Sequence, residues 1–183
     1  NRAKLVSKTY GEALFEIAVE EQKARELMQE VQGILDILDA NPEFDGLMKH
    51  PGISKQEKMQ VVSEVFRGKT SQELSNFLEI VVSKERYGDI RAIFQYFIDR
   101  VKEVEKIGVA YVTTPMELGD SQKEKVQQRL LETSGYKTME MHYSVDASLI
   151  GGMVIRIGDR VVDSSIRSKL DELTKQLLQI QLG

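Results

Sequence analysis

The sequence predicts an α+β protein: an N-terminal bundle of six helices, residues 1–106, followed by a small α/β domain, residues 107–183. Apolar residues recur with the helical period of about 3.6 in the first domain, and the period changes to about two after Ile107-Gly108. A late segment rich in glycine and β-branched residues predicts a hairpin. The leucine spacing that follows it predicts a long final helix.

Short breaks divide the first domain into its predicted helices. Asn41-Pro42 ends the second helix, Pro51-Gly52 ends the third, and Gly68 follows the fourth. Ser54-Lys-Gln-Glu57 has the spacing of a capping box ahead of the fourth helix, and Thr70-Ser-Gln-Glu73 repeats it ahead of the fifth. We expect the sixth helix over about residues 88–105, since its apolar face is the most regular in the chain.

The first predicted helix, residues 4–22, is unusually apolar around its circumference. Its apolar arc covers about two thirds of the helical wheel, which is too wide for one buried face. Glu12, Glu16 and Glu20 form the polar stripe, which we interpret as a solvated face. On the fifth predicted helix Ile80 lies well off the buried stripe, although one exposed isoleucine alone means little.

The second domain begins with a predicted strand over residues 107–113 and a helix that Ser121-Gln-Lys-Glu124 is expected to cap. Residues 138–145 alternate strictly, so we predict a strand with one solvated face. Gly158-Asp159 is a turn pair between two short runs, which predicts a hairpin over 153–163. The seam of the final helix is Ile166, Leu170, Leu173, Leu177 and Ile180, facing either the sheet or another helix.

Gly151-Gly152 precedes the hairpin and allows two interpretations. The pair serves either as a strained entry turn or as a place where another backbone approaches closely. Asp163-Ser164-Ser165 is better interpreted as the N-cap of the final helix than as a nucleophile, because no histidine accompanies it.

The composition excludes several functional classes. The chain has 183 residues, a net charge of −4 and no cysteine. The acidic balance disfavours strong phosphate-driven binding of nucleic acid. The lack of cysteine excludes disulfides and thiolate chemistry, and no apolar run approaches the roughly 20 residues that span a bilayer.

No pattern of catalytic or ligating residues stands out. His50 and His142 are the two histidines, and we expect both at the surface of different domains. Metal-binding motifs are missing, and the glycines do not have the spacing of a phosphate-binding loop. We therefore expect no catalytic site, no cofactor and no metal.

The closing segment carries a distinctive set of residues: Gly151, Gly152, Arg156, Gly158, Asp159, Asp163, Ser165 and Arg167. This motif resembles that of the delta subunit family of F-type ATP synthase, which includes the mitochondrial oligomycin-sensitivity-conferring protein. The opening also resembles this family through Tyr10, Ala13, Leu14 and Phe15. Arg86-Tyr87 falls at the family's corner before the sixth helix, and the likeness covers essentially the whole chain.

Two positions depart from the family pattern. Gly11 stands where alanine is common, at a cost of about 1 kcal/mol inside a helix. Lys84-Glu85 replaces the usual Asn-Gly type of turn pair ahead of Arg86, which changes the expected detail of that corner.

The resemblance implies a non-catalytic stator subunit in proton-driven ATP synthesis. In the family, the N-terminal domain binds the N-terminal helix of an alpha subunit in a groove between its first and fifth helices, and the C-terminal domain binds the C-terminal region of the stalk's b subunits. The implied location is the cytoplasmic face of a bacterial cell membrane, reached only through the complex, with the chloroplast stroma as the alternative.

The wide apolar arc of the first helix and the off-stripe Ile80 are consistent with such a groove. Neighbouring helices that wrap both surfaces are the alternative explanation. The candidate groove residues are Tyr10, Ala13, Leu14, Ile17, Phe77, Ile80 and Val81.

Two other functional classes compete with this interpretation. A six-helix bundle alone would suit an RNA-binding or antitermination-type module, but the chain shows no basic stripe. A small enzyme with an unrecognised site is disfavoured by the missing catalytic constellation.

Overall fold

The structure is a computed structural model that describes residues 1–163 of the chain. It divides into two compact units, Asn1–Lys102 and Glu103–Gly183. The break falls a few residues before the expected boundary at residue 106. The described residues combine α-helices with a β-sheet, so the predicted α+β class is confirmed.

The helices of the first unit follow the breaks in the sequence. A short 3-10 turn, Tyr87–Asp89, lies between the fifth and sixth helices, and the sixth extends just past the unit boundary. The helices are α1 (Arg2–Glu20), α2 (Ala24–Ala40), α3 (Pro42–Lys49), α4 (Lys55–Phe66), α5 (Gln72–Ser83) and α6 (Ile90–Val104).

Serine side chains cap α4 and α5. The Ser54 hydroxyl accepts a hydrogen bond from the backbone N–H of Glu57 at 3.2 Å, as the sequence predicted. At α5 the predicted cap was one residue early, because Ser71 accepts from the N–H of Leu74 at 3.4 Å. The Thr70 hydroxyl instead lies 2.7 Å from the Ser75 hydroxyl.

The core of the first unit is built around α6. Phe94 and Phe97 are completely buried, and the Phe94 ring lies 6.2 Å from that of Phe77 on α5. Burying an aromatic side chain of this size removes a large apolar area from water, which is the main source of folding free energy. The remaining α6 residues of this core are Ile90, Ile93, Ile98 and Val101.

Polar contacts hold the corner between α5 and α6. Asp45 of α3 accepts a hydrogen bond from the Tyr87 hydroxyl at 2.6 Å and pairs with Nη2 of Arg91 at 2.7 Å. The Arg91 guanidinium keeps the pKa of Asp45 below its ordinary value, and burial raises the pKa of Tyr87. Glu85 adopts a positive φ of 59°, which glycine or asparagine would adopt at lower cost.

Up to residue 163, the second unit contains a four-stranded sheet in the order β2-β1-β3-β4. β1 and β2 are parallel and the other two pairs are antiparallel, so helix α7 is the crossover between β1 and β2. The elements are β1 (Ile107–Thr114), α7 (Asp120–Thr133), β2 (Thr138–Val145), β3 (Val154–Ile157) and β4 (Arg160–Asp163).

The predicted cap of α7 was two residues late. The helix begins at Asp120 and its N-cap is Gly119. The side-chain oxygen of Gln122 accepts a hydrogen bond from the Gly119 N–H at 3.0 Å. Here the N3 glutamine binds the N–H of the N-cap residue, which is one half of a capping box, and glycine at the N-cap has no side chain to supply the other half.

Alternation along β2 produces two different faces, as predicted. α7 lies beside the face of Met139 and Tyr143, since the Gln127 amide donates to the Met139 carbonyl and the Tyr143 hydroxyl donates to the Lys123 carbonyl. The other face carries Thr138, His142 and Ser144, which are exposed.

The hairpin glycines use backbone conformations that other residues rarely adopt. Gly151 and Gly152 have φ values of 64° and 65°, and Gly158 in the hairpin turn has 59°. Two consecutive positive φ values favour the entry-turn interpretation of Gly151-Gly152. Ser165, Arg167 and the predicted final helix lie outside the described residues.

Candidate functional site

The candidate groove lies between α1 and α5, which contact one another. Lys23 follows the end of α1, and its ammonium lies 3.2 Å from the carboxylate of Glu73 at the start of α5. α1 also contacts the 3-10 turn Tyr87–Asp89, which follows the end of α5. The two helices therefore run antiparallel.

Three of the seven candidate residues form the base of this region. Leu14 and Val81 have no exposed surface, and Phe77 is 4% exposed. Their side chains complete the core of the unit. A partner on the surface would meet them only if the helices moved apart.

The other four candidates reach the surface. Tyr10 and Ile17 are half-buried, Ala13 is exposed, and Ile80 is 50% exposed. On α1 these positions follow a spacing of three and four residues, which places them on one flank of the helix. Ala13 lacks a long side chain, so a second backbone can approach α1 closely there.

Helix geometry explains why these residues share one surface. Val6, Tyr10, Ala13 and Ile17 lie on one flank of α1, because their spacing follows the helical turn. At a rise of about 1.5 Å per residue, this apolar flank is about 16 Å long. It matches about three turns of a partner helix.

The opposite flank of α1 packs on α6, which the sequence alone did not reveal. A Cβ atom at Gly11 would lie 2.5 Å from Cδ1 of Tyr96, so the glycine makes room for that ring. The neighbouring Glu12 accepts from the Tyr96 hydroxyl at 2.9 Å and from Nε of Arg100 at 3.3 Å. The interpretation of Glu12 as part of a solvated stripe is therefore wrong, whereas Glu16 and Glu20 are exposed.

The ion pair between Lys23 and Glu73 lies where α1 has ended and α5 begins. The hydrogen bond to Glu73 raises the pKa of Lys23. A backbone hydrogen bond and then the Lys23 ammonium lower the pKa of Glu73. Both groups are charged near neutral pH.

Arg156 of the family motif belongs to a stack of three side chains on the exposed face of the sheet, the Tyr111 ladder. The Arg156 guanidinium lies 4.6 Å from the centre of the Tyr111 ring. The His142 ring stacks on the other side of Tyr111 at 4.9 Å. These three residues are direct partners across β2, β1 and β3, so the sheet register produces the ladder.

Three further motif residues lie in the hairpin of the second unit. Gly158 and Asp159 connect β3 to β4, and Asp163 ends β4 opposite Val154. His50 is exposed, and its Nδ1 accepts a hydrogen bond from the N–H of Gly52 at 2.9 Å.

Within residues 1–163, no three histidine or carboxylate side chains converge in a way that could hold a metal ion. In the same range no helix combines the length and apolarity needed to cross a bilayer. The surface of the described residues can therefore offer a partner apolar and ionic contacts.

Residues 6–177 match the family model described as "ATP synthase delta (OSCP) subunit". A relative named ATP synthase subunit delta, from Lachnoclostridium phytofermentans, is 48% identical over 181 residues, covering 99% of this chain and 100% of the relative. A protein of the same name from Alkaliphilus oremlandii is 37% identical over 180 residues, covering 97% of this chain and 98% of the relative.

The fold also matches a solved structure. A chain in the cryo-electron microscopy structure of the Toxoplasma gondii mitochondrial ATP synthase hexamer aligns with a TM-score of 0.63. The sequence identity is 23%, and the alignment covers 94% of this chain and 97% of that chain. By its sequence match over nearly its whole length, the chain belongs to the ATP synthase delta (OSCP) subunit family.

Proposed function

We propose that this chain is a non-catalytic stator subunit of an F-type ATP synthase that ties the catalytic head to the peripheral stalk. Its task is to resist rotor torque during proton-driven ATP synthesis. The observation that carries the proposal is the 48% identity to an ATP synthase subunit delta over 99% of this chain. The proposed location is the cytoplasmic face of a bacterial membrane, reached through the complex.

The helical unit is the proposed contact with the head. In this proposal the six helices form a bundle whose surface between α1 and α5 receives the N-terminal helix of an alpha subunit. The exposed positions of Ala13 and Ile80, beside the half-buried Ile17, support this choice. An amphipathic helix would cover these side chains with its apolar face.

The C-terminal domain, residues 107–183, is the proposed contact with the C-terminal region of the b subunits. Two modest interfaces on one chain raise the effective concentration of the second partner after the first has bound. A pull-down from membranes with the full chain tests both contacts at once. Recovery of alpha without b would argue against the proposed link, and recovery of neither would overturn it.

The groove has a sharper test. Ala13→Arg is expected to weaken binding of an alpha-subunit N-terminal peptide at least tenfold, roughly 1.4 kcal/mol, because the new side chain fills the surface where the peptide backbone would lie. Isothermal titration calorimetry measures the change. Ala92→Arg is the matched control, since Ala92 is exposed on α6. Equal affinities for both variants would move the binding surface elsewhere.

A further inference from the structure

A cleft opens in the helical unit where the segment between α3 and α4 faces the corner between α5 and α6. Its volume is about 350 Å³, and small-molecule sites in proteins occupy roughly 300–1,000 Å³. None of the residues that line the cleft belongs to the candidate groove. The cleft is therefore a separate surface of this unit, large enough for a small molecule.

The rim of the cleft is basic. Lys49 ends α3, Lys55 begins α4, and Lys58 lies about one turn further along α4. One acidic residue, Glu85, also lines the cleft. Three lysines against one glutamate give the cleft a net charge of +2, whereas the whole chain has a net charge of −4. Clustered charge of one sign in a cleft raises the local concentration of ions of the opposite sign, here anions.

The three lysines are available to an anion from outside the chain. Within residues 1–163, none of the ion pairs involves Lys49, Lys55 or Lys58. Arg91 lowers the pKa of Asp45 most, and Lys49 adds a smaller effect at longer range. Lys49 and Lys55 are exposed and Lys58 is half-buried, so solvent reaches all three side chains.

Apolar side chains form the floor of the cleft. Met48, Val82 and Tyr87 line it and are buried in the core of the unit. The Tyr87 ring is held in place by the 2.6 Å hydrogen bond from its hydroxyl to Asp45. The half-buried Ile53 adds an apolar wall. The cleft thus combines a basic rim with a fixed apolar surface.

We propose that this cleft binds a nucleoside di- or triphosphate, with the phosphates at the lysine rim and the base against the apolar floor. Lysine holds phosphate as a point charge, so three lysines suit a ligand with several negative charges better than a single carboxylate. A flat base would remove the apolar floor from water. The inference does not depend on the proposed stator function, because it concerns a different surface.

Titration of the full chain with ATP, without divalent cations, tests the proposal by NMR spectroscopy. We expect the amide signals of residues 48–58 and 82–88 to shift at low salt, with a Kd below about 1 mM. The affinity should fall as salt is added, since contacts with exposed lysines are screened. If these amides did not shift with ATP up to about 10 mM, the cleft would not be a nucleotide site.

The double variant Lys55→Gln, Lys58→Gln removes two of the three basic side chains. Glutamine and lysine have similar helix propensities, so α4 should keep its structure. We expect the Kd for ATP to rise at least about tenfold, because charge-assisted hydrogen bonds to the phosphates are lost. The matched control is Arg67→Gln, Lys69→Gln, which removes the same charge from exposed residues beyond the other end of α4, about 18 Å away. Equal losses in both variants would contradict a local site.

Two partial ligands separate the contribution of charge from that of apolar contact. Tripolyphosphate carries the charge without the base, and adenosine carries the base without the phosphates. We expect each to bind at least about fivefold more weakly than ATP. Tripolyphosphate that bound as tightly as ATP would show that the floor holds no base. An acidic peptide that shifted the same amides at lower concentrations than ATP would assign the cleft to a protein partner instead.

Discussion

The two units bury their apolar side chains to very different extents. α6 contributes six buried residues to the helical unit, whereas α7, which lies wholly within the described residues, contributes none. β1 alternates between buried and more exposed positions, and all four residues of β4 are exposed. The helical unit is organised around a closed core, and the described sheet keeps many side chains at its surface.

Because of this difference, a surface side chain can be changed without loss of stability in the helical unit but not in the sheet unit. In the helical unit the candidate groove lies above completely buried residues such as Leu14 and Val81, so surface changes there leave the core intact. In the sheet unit the exposed ladder around Tyr111 is itself part of the sheet's cross-strand packing. A change at Tyr111 therefore alters both the surface and the sheet.

The largest expected effect is in the helical core. Phe94→Ala should destabilise the helical unit by about 3–5 kcal/mol, because it leaves a cavity among completely buried side chains. Val112→Ala in β1 should cost the sheet unit only about 2 kcal/mol, since it removes fewer buried atoms. Hydrogen exchange of α6 and β1 amides in increasing urea measures each unit separately. A larger loss for Val112→Ala would reverse the comparison.

The next effect concerns the close approach of α6 to α1. Gly11→Ala improves helix propensity by about 1 kcal/mol but forces the Tyr96 ring to move, which we expect to cost about 2 kcal/mol. The variant should therefore be less stable by about 1 kcal/mol in urea denaturation.

A double-mutant cycle isolates this contact. In a Tyr96→Ala background the added methyl group no longer meets the ring and retains only the 3.1 Å contact with the Cβ atom of residue 96, so Gly11→Ala should become less destabilising. If Gly11→Ala had the same effect in both backgrounds, the ring would not be the reason for the glycine.

The contribution of Asp45, which binds Tyr87 and Arg91, to stability can be tested by changing the pH. Because the pKa of folded Asp45 is lowered, first by Arg91, its stabilisation is present above about pH 4 and is lost as the pH falls through the folded value. Asp45→Asn should cost about 1 kcal/mol at pH 7, and this difference should shrink on acidification. Urea denaturation from about pH 7 to pH 2 measures it. A constant difference across that range would show that the carboxylate charge is not responsible.

The smallest expected effect is on the sheet surface. Tyr111→Ala removes contacts with His142 and Arg156 and should destabilise the sheet unit by about 1 kcal/mol. Tyr111→Phe retains the ring and should change the free energy of unfolding by less than about 0.5 kcal/mol. Thermal denaturation of the two variants distinguishes stacking from the hydroxyl group. Equal losses would assign the effect to the hydroxyl.

Sequence periodicity predicted the elements with small errors at their ends. The change of apolar period at Ile107-Gly108 located β1, because side-chain spacing differs between helices and strands. The first helix was placed two residues late, at 4 rather than Arg2, since the exposed first turn carries little apolar signal. The predicted cap at Ser54 is confirmed, whereas α5 and α7 use other residues.

The candidate groove residues on α1 were predicted because the apolar arc of that helix is wider than one buried face. That pattern cannot say which members are covered. Leu14 and Phe77 proved to be buried, while Ala13 and Ile80 remain exposed, and their role in binding stays a prediction.

The fold class and the family could be predicted from the sequence alone, because the first depends on local periodicity and the second on a contiguous motif. The contact of Gly11 and Glu12 with Tyr96, which lies 84 positions beyond Glu12, arises from tertiary packing. The same holds for the Tyr111 ladder, whose three residues come from three strands. Contacts between distant positions depend on how the elements pack, and the periodicity of a helix or strand does not determine that packing.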